Sequence, residues 1–202
     1  MSQLNAAVAI DYAGNPARSN EAALDALLDA NEAVRLGAIQ ELIDDPANAP
    51  ALLKHFANEK TARLRAAIME GLRSRAAPGF VPGLIELLSS DRAANRAAAI
   101  ETLHHFPDEV AAHIDTLLAD PSPDMRIFTL AVLESLRHPN VEKWLITVLE
   151  QDCEVNVCAT AIELLGRIGD HRAVPVLHAV KARFHDEPFI CFAVDVALGQ
   201  IE

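Results

Sequence analysis

A short pattern, apolar–Arg–x–x–small–apolar–x–x–Leu, returns six times along this chain. It opens at Val34, Leu64, Asn95, Met125, Val157 and Ile190. The interval is about 30–33 residues each time, and a fixed period of that size is the mark of a solenoid. One such unit cannot bury its apolar side alone, so neighbours must stack to make a core. The expectation is an all-α solenoid of about six helix hairpins.

Composition narrows the chemistry. The chain is 51% hydrophobic but only 4% aromatic, so Ala and Leu must fill most of the core. Ala leads the helix-propensity ranking and lets helices approach closely. The 29 acidic against 17 basic side chains leave a formal charge of −12. Phosphate backbones and anionic membrane surfaces repel such a chain, so neither nucleic acid nor a membrane is expected as its main partner. Cys153, Cys158 and Cys191 are too few and too odd in number for a disulfide framework. The opening Met1-Ser2-Gln3-Leu4-Asn5 has no basic region ahead of its short apolar run, and no apolar stretch is long enough to span a bilayer. A reducing cytoplasm is the expected address.

Within each period two helices are expected. The A helices are placed near Glu21–Leu28, Ala51–Phe56, Val81–Leu88, Glu109–Leu118, Val141–Leu149 and Ala173–Phe184. Their apolar residues fall at i, i+3 and i+4, as in Leu84, Leu87 and Leu88. Pro50, Pro82 and Pro175 sit near their starts, where a missing N–H is tolerated. Asn20 and Asn140 are expected N-caps. The B helices carry the recurring pattern, and breakers such as Ala77-Pro78-Gly79 and Gly169-Asp170 end them. Residues 1–19 do not fit the period: Leu4–Ile10 is read as a cap helix or extension before a repeat domain over residues 20–202.

With segments such as "AVRLGAIQELID" and "DPSPDMRIFTLAVLESL", the chain resembles the HEAT repeats, in the short bacterial form seen in phycobilin lyases and many adaptor proteins. The resemblance covers roughly Asn20 to Glu202 and implies a right-handed superhelix. It also implies a structural ladder of acids and arginines between neighbouring repeats. An acid stands six residues before the motif Arg in the pairs Asp29 and Arg35, Glu59 and Arg65, and Asp120 and Arg126. Asp91 precedes Arg96 by five. Cys158 and Cys191 replace the Arg in the last two repeats, so the ladder is expected to fade there.

The histidines and cysteines are the candidates for catalysis or metal binding. His104 and His105 are adjacent and are expected to point apart on a helix. His178 and His185 are read as sharing a face of the last A helix. The spacing of these histidines does not match a zinc site. The cysteines lie in apolar or acidic surroundings and read as small buried hydrophobes rather than nucleophiles. No catalytic residue, cofactor or metal is assigned, and a small-molecule ligand is not expected.

Counting the first motif residue as zero, positions zero, four, five and eight face the core; two, three and six face out. Position six reads Gln40, Glu70, Glu101, Ala131, Glu163 and Val196, and positions two and three add Leu36, Ile127, Phe128 and Phe192. The resemblance places the B helices on the concave side. An acidic row beside large apolar side chains suits a basic, amphipathic element of a partner protein. The expected function is therefore a non-enzymatic scaffold or adaptor. The resemblance also implies two alternatives, a bilin-handling lyase or chaperone and, more remotely, a DNA glycosylase built on such repeats.

Overall fold

The computed structural model describes residues 16–75 and 79–201. Among them are twelve α-helices and no strand. The expected cap helix over Leu4–Ile10 and the breaker at Ala77-Pro78 lie outside the described residues. The chain divides into two compact units, one ending at Phe80 and the other beginning at Val81.

The first unit holds α1 (Pro16–Ala26), α2 (Glu32–Leu42), α3 (Ala49–Asn58) and α4 (Ala62–Ser74). Helix α1 packs on α2, α3 on α4, and α2 on α4. Leu52, Phe56, Leu64, Ile68 and Leu72 fill its core at 1% exposure or less. The first helix starts at Pro16, so Asn20 is not its cap. Instead the Asn20 side-chain oxygen accepts a hydrogen bond from Asn48 Nδ2 at 3.0 Å. Val34 is 40% exposed although it opens the motif.

The second unit begins within α5 (Phe80–Leu87), which follows Gly79 at φ 81°, a left-handed conformation that favours glycine. It continues through α6 (Ala93–Leu103), α7 (Pro107–Leu118), α8 (Pro123–Ser135), α9 (Val141–Gln151), α10 (Val155–Ile168), α11 (Val174–Arg183) and α12 (Pro188–Ile201). The hairpins are α7–α8, α9–α10 and α11–α12. The row α7–α9–α11 packs sequentially, and so does the motif row α6–α8–α10–α12. Leu103, Leu130, Leu133, Val157, Ala161, Leu165, Ile190 and Val194 are buried between these rows.

Every motif helix from α2 to α10 starts two residues before its first motif position. The preceding cap residue is extended in each: Asn31, Thr61, Arg92, Ser122 and Glu154. Only Asn31 caps with its side chain, accepting from Ala33 N at 2.9 Å. Asn140 occupies the cap position of α9 but makes no side-chain cap bond.

Candidate interaction surface

The turns before α2, α4, α6, α8 and α10 share a recurring bond. The residue two before the cap accepts the cap's N–H: Asp29 from Asn31 at 2.7 Å, Glu59 from Thr61 at 2.8 Å, Asp120 from Ser122 at 2.8 Å and Asp152 from Glu154 at 2.9 Å. The guanidinium at motif position one then donates to a backbone carbonyl of that turn. Arg35 reaches Asp29 O at 2.9 Å and Arg126 reaches Asp120 O at 2.8 Å. In the third repeat Ser90 fills this place, accepting from Arg92 N at 3.3 Å and, through its carbonyl, from Arg96 at 2.6 Å. Asp91 is exposed one residue further on. The spacing of six is therefore kept by Ser90, and Asp91 is out of register.

With the terminal Nη1 spent on its own turn, the arginine's Nε and Nη2 reach the acid of the next repeat. Arg35 bonds Glu59 at 2.9 Å, and Arg126 bonds Asp152 in a fork at 2.6 and 3.1 Å. The Asp152 bond, first, raises the Arg126 pKa. Burial pushes the Glu59 carboxyl up, but the N–H groups of Thr61 and Lys60 and the Arg35 guanidinium outweigh it and hold the carboxyl at about 2. Arg65 instead donates to Phe56 O at 2.7 Å and lies 3.8 Å over the Phe56 ring. Arg96 lies 4.9 Å from the centre of the Phe128 ring.

In the last two repeats thiols stand where the motif arginine was, and their contacts are to backbone carbonyls rather than to an acid of the next repeat. Cys158 keeps the turn bond, its thiol facing Asp152 O at 3.4 Å, and Cys191 faces His185 O at 3.9 Å. The missing cation comes from Arg183 at the end of α11. It donates to Leu149 O at 2.8 Å and Asp152 O at 2.9 Å, and stands 3.8 Å from Cys158 Sγ. A cation there also complements the C-terminal end of the α9 dipole. Burial pushes the Cys158 thiol up to about 11, against the pull of Arg183, so it is protonated at neutral pH and a poor nucleophile. Packing tightens as well: a Cβ on Gly166 of α10 would lie 2.9 Å from Ala197 Cα of α12.

The outward positions fall as follows. In the first unit Gln40 and Glu70 are exposed and Leu36 is half-buried; Glu70 pairs with Arg73 at 2.6 Å. In the second unit Glu101 and Glu163 are exposed, Ile127 and Phe128 are half-buried, and Phe192 is 68% exposed. These sit on successive, mutually packed helices α6, α8, α10 and α12. Glu163 faces Arg167 at 3.7 Å, and Arg167 also bonds Glu134 at 2.8 Å, so the acidic row is partly neutralised. Phe189 and Val196, 62% and 43% exposed, extend Phe192 into a strip at i−3 and i+4 along α12. Phe189 lies one residue before the motif and escaped a register counted from Ile190. Asp195 is exposed on α12 and pairs with Lys181 of α11.

The histidines sit differently from expectation. Helix α6 ends at Leu103, so the His104 and His105 rings come together with centroids 4.0 Å apart. Helix α11 ends at Arg183, leaving His185 off its face and beside Asp186 at 3.2 Å. Among the described residues no group of three His, Cys, Asp or Glu side chains could hold a metal ion. No described helix is long and apolar enough to cross a membrane.

Residues 110–187, from within α7 to the residue before α12, match the family model for HEAT repeats. That stretch carries HEAT repeats. No curated protein matches it. HEAT repeats commonly mediate protein–protein interaction, and they are typically scaffolds without catalytic activity of their own.

Proposed function

We propose that this chain is a non-enzymatic scaffold that holds a protein partner on the motif-helix surface of its second unit. The observation that carries the reading is the strip Phe189, Phe192 and Val196, three large apolar side chains left in solvent on one side of α12. Isolated exposed apolar residues are ordinary, but aligned ones mark contact sites. Glu101 and Glu163 on the same row of helices, and the overall charge of −12, favour a basic amphipathic element as the docking segment. Ile127 and Phe128 add apolar area on α8; Leu36, Gln40 and Glu70 offer a smaller, separate set on the first unit. The same carboxylates argue against the glycosylase alternative, which needs a basic face for DNA.

The test is Phe192→Ser combined with Glu101→Lys. A partner captured from the source cells by the parent chain should be lost from this variant while its circular dichroism stays unchanged. Capture of the same partner at the same level would overturn the reading.

A further inference from the structure

A cleft of about 630 Å³ lies away from the proposed docking strip, between the turn joining α7 to α8 and the turn joining α9 to α10. That volume is within the range of small-ligand sites. Its apolar lining comes from Leu118, Val148 and Trp144, the last held by a stacked His138 ring at 5.0 Å. Around it stand the carboxylates Asp115, Asp120, Asp152 and Glu154.

The single cation lining the cleft is already consumed. Arg126 gives two nitrogens to Asp152 and the third to Asp120 O, so all three nitrogens are engaged with the protein. Its charge cancels that of Asp152. Asp115, Asp120 and Glu154 then remain uncompensated by any ion pair among the described residues. An anion is repelled from such a cavity. A bare metal ion is poorly served too, because these carboxylates form no group that could hold one. Methylene groups, by contrast, gain from the apolar lining while a terminal cation reaches the carboxylates, as long basic side chains do on protein surfaces.

We propose that this cleft binds an alkylammonium group, supplied either by a lysine side chain of a basic peptide or by a free polyamine. The site is independent of the docking strip, and its failure would leave that reading standing.

Trp144 is the only tryptophan in the chain, so its fluorescence reports on the cleft directly. The probes are spermidine and a lysine-containing octapeptide, titrated into the full chain at low ionic strength. Saturable change with spermidine alone identifies a polyamine site, and with the peptide alone a side-chain site; either supports the proposal. The variant Asp115→Asn with Glu154→Gln alters two exposed residues and should keep its helicity. It should weaken binding by about tenfold or more, as expected for losing two charges facing a cation. Glu101→Gln, on the other surface, should change nothing. As a second readout, the exposed Cys153 lines the same cleft and should be shielded from alkylation by bound spermidine. No response to either probe up to millimolar concentration, or equal binding by the double variant, overturns the proposal.

Discussion

At the residue scale, ion pairs of similar appearance here differ in worth because they differ in burial. Arg126 and Asp152 expose 13% and 9% of their side chains, whereas Arg167 and Glu134 expose 45% and 47%. Removing one partner of a buried, hydrogen-bonded pair leaves the other charge stranded, at about 3 kcal/mol or more. Arg126→Ala should therefore lower stability by that order in chemical denaturation, while Arg167→Ala should stay within about 0.5 kcal/mol. Arg183→Ala removes a helix-end cation and three carbonyl bonds, an expected loss of roughly 1–2 kcal/mol. The acid–arginine interval was legible in the sequence because it repeats. Arg183 was not, since it occupies no repeated position: it matters only because the end of α11 packs near the end of α9. Ser90 was missed for a related reason. An acid one residue away drew attention from a serine that performs the same backbone bond.

At the element scale, most of the motif register could be read before any coordinates, since a period of 3.6 with apolar positions at fixed offsets leaves little freedom. Leu133 is 1% exposed, and Leu133→Ala should cost about 2–5 kcal/mol, measurable by thermal or urea unfolding. Helix starts were less legible. The Asn20 cap failed because proline at the first helical position starts α1 earlier, and the side chain then serves a neighbouring loop. The close approach of α10 and α12 was also hidden, because a glycine inside a helix does not announce what faces it. Gly166→Ala would gain about 1 kcal/mol of helix propensity. The added methyl would meet Ala197 backbone and side chain within 3.0 Å, and such overpacking costs about 1–3 kcal/mol. A net loss is expected because backbone, unlike a flexible side-chain tip, cannot swing aside. An unchanged or raised melting temperature would show that α12 yields.

At the scale of the whole molecule, charge and stability respond to acid over different ranges. The sequence pI is about 5.0, so the net negative charge that keeps the chain dispersed vanishes near that pH. A solubility minimum is expected there with helicity intact. Stability follows a different group. Glu59 in the folded chain titrates at about 2, below its ordinary 4.5. Between those values the unfolded chain takes up a proton that the folded chain refuses, so falling pH favours unfolding. The contribution of Glu59 is thus complete above pH 4.5 and is lost as pH drops toward 2. Glu59→Gln removes this proton-linked term. The variant should be less stable than the parent at pH 7, by about 3 kcal/mol for a carboxylate buried against Arg35. Its stability should also fall less steeply between pH 4.5 and 2, closing the gap with the parent as the medium becomes acidic. Parallel acid limbs for the two proteins would mean that Glu59 is not held in its charged form by the turn and by Arg35.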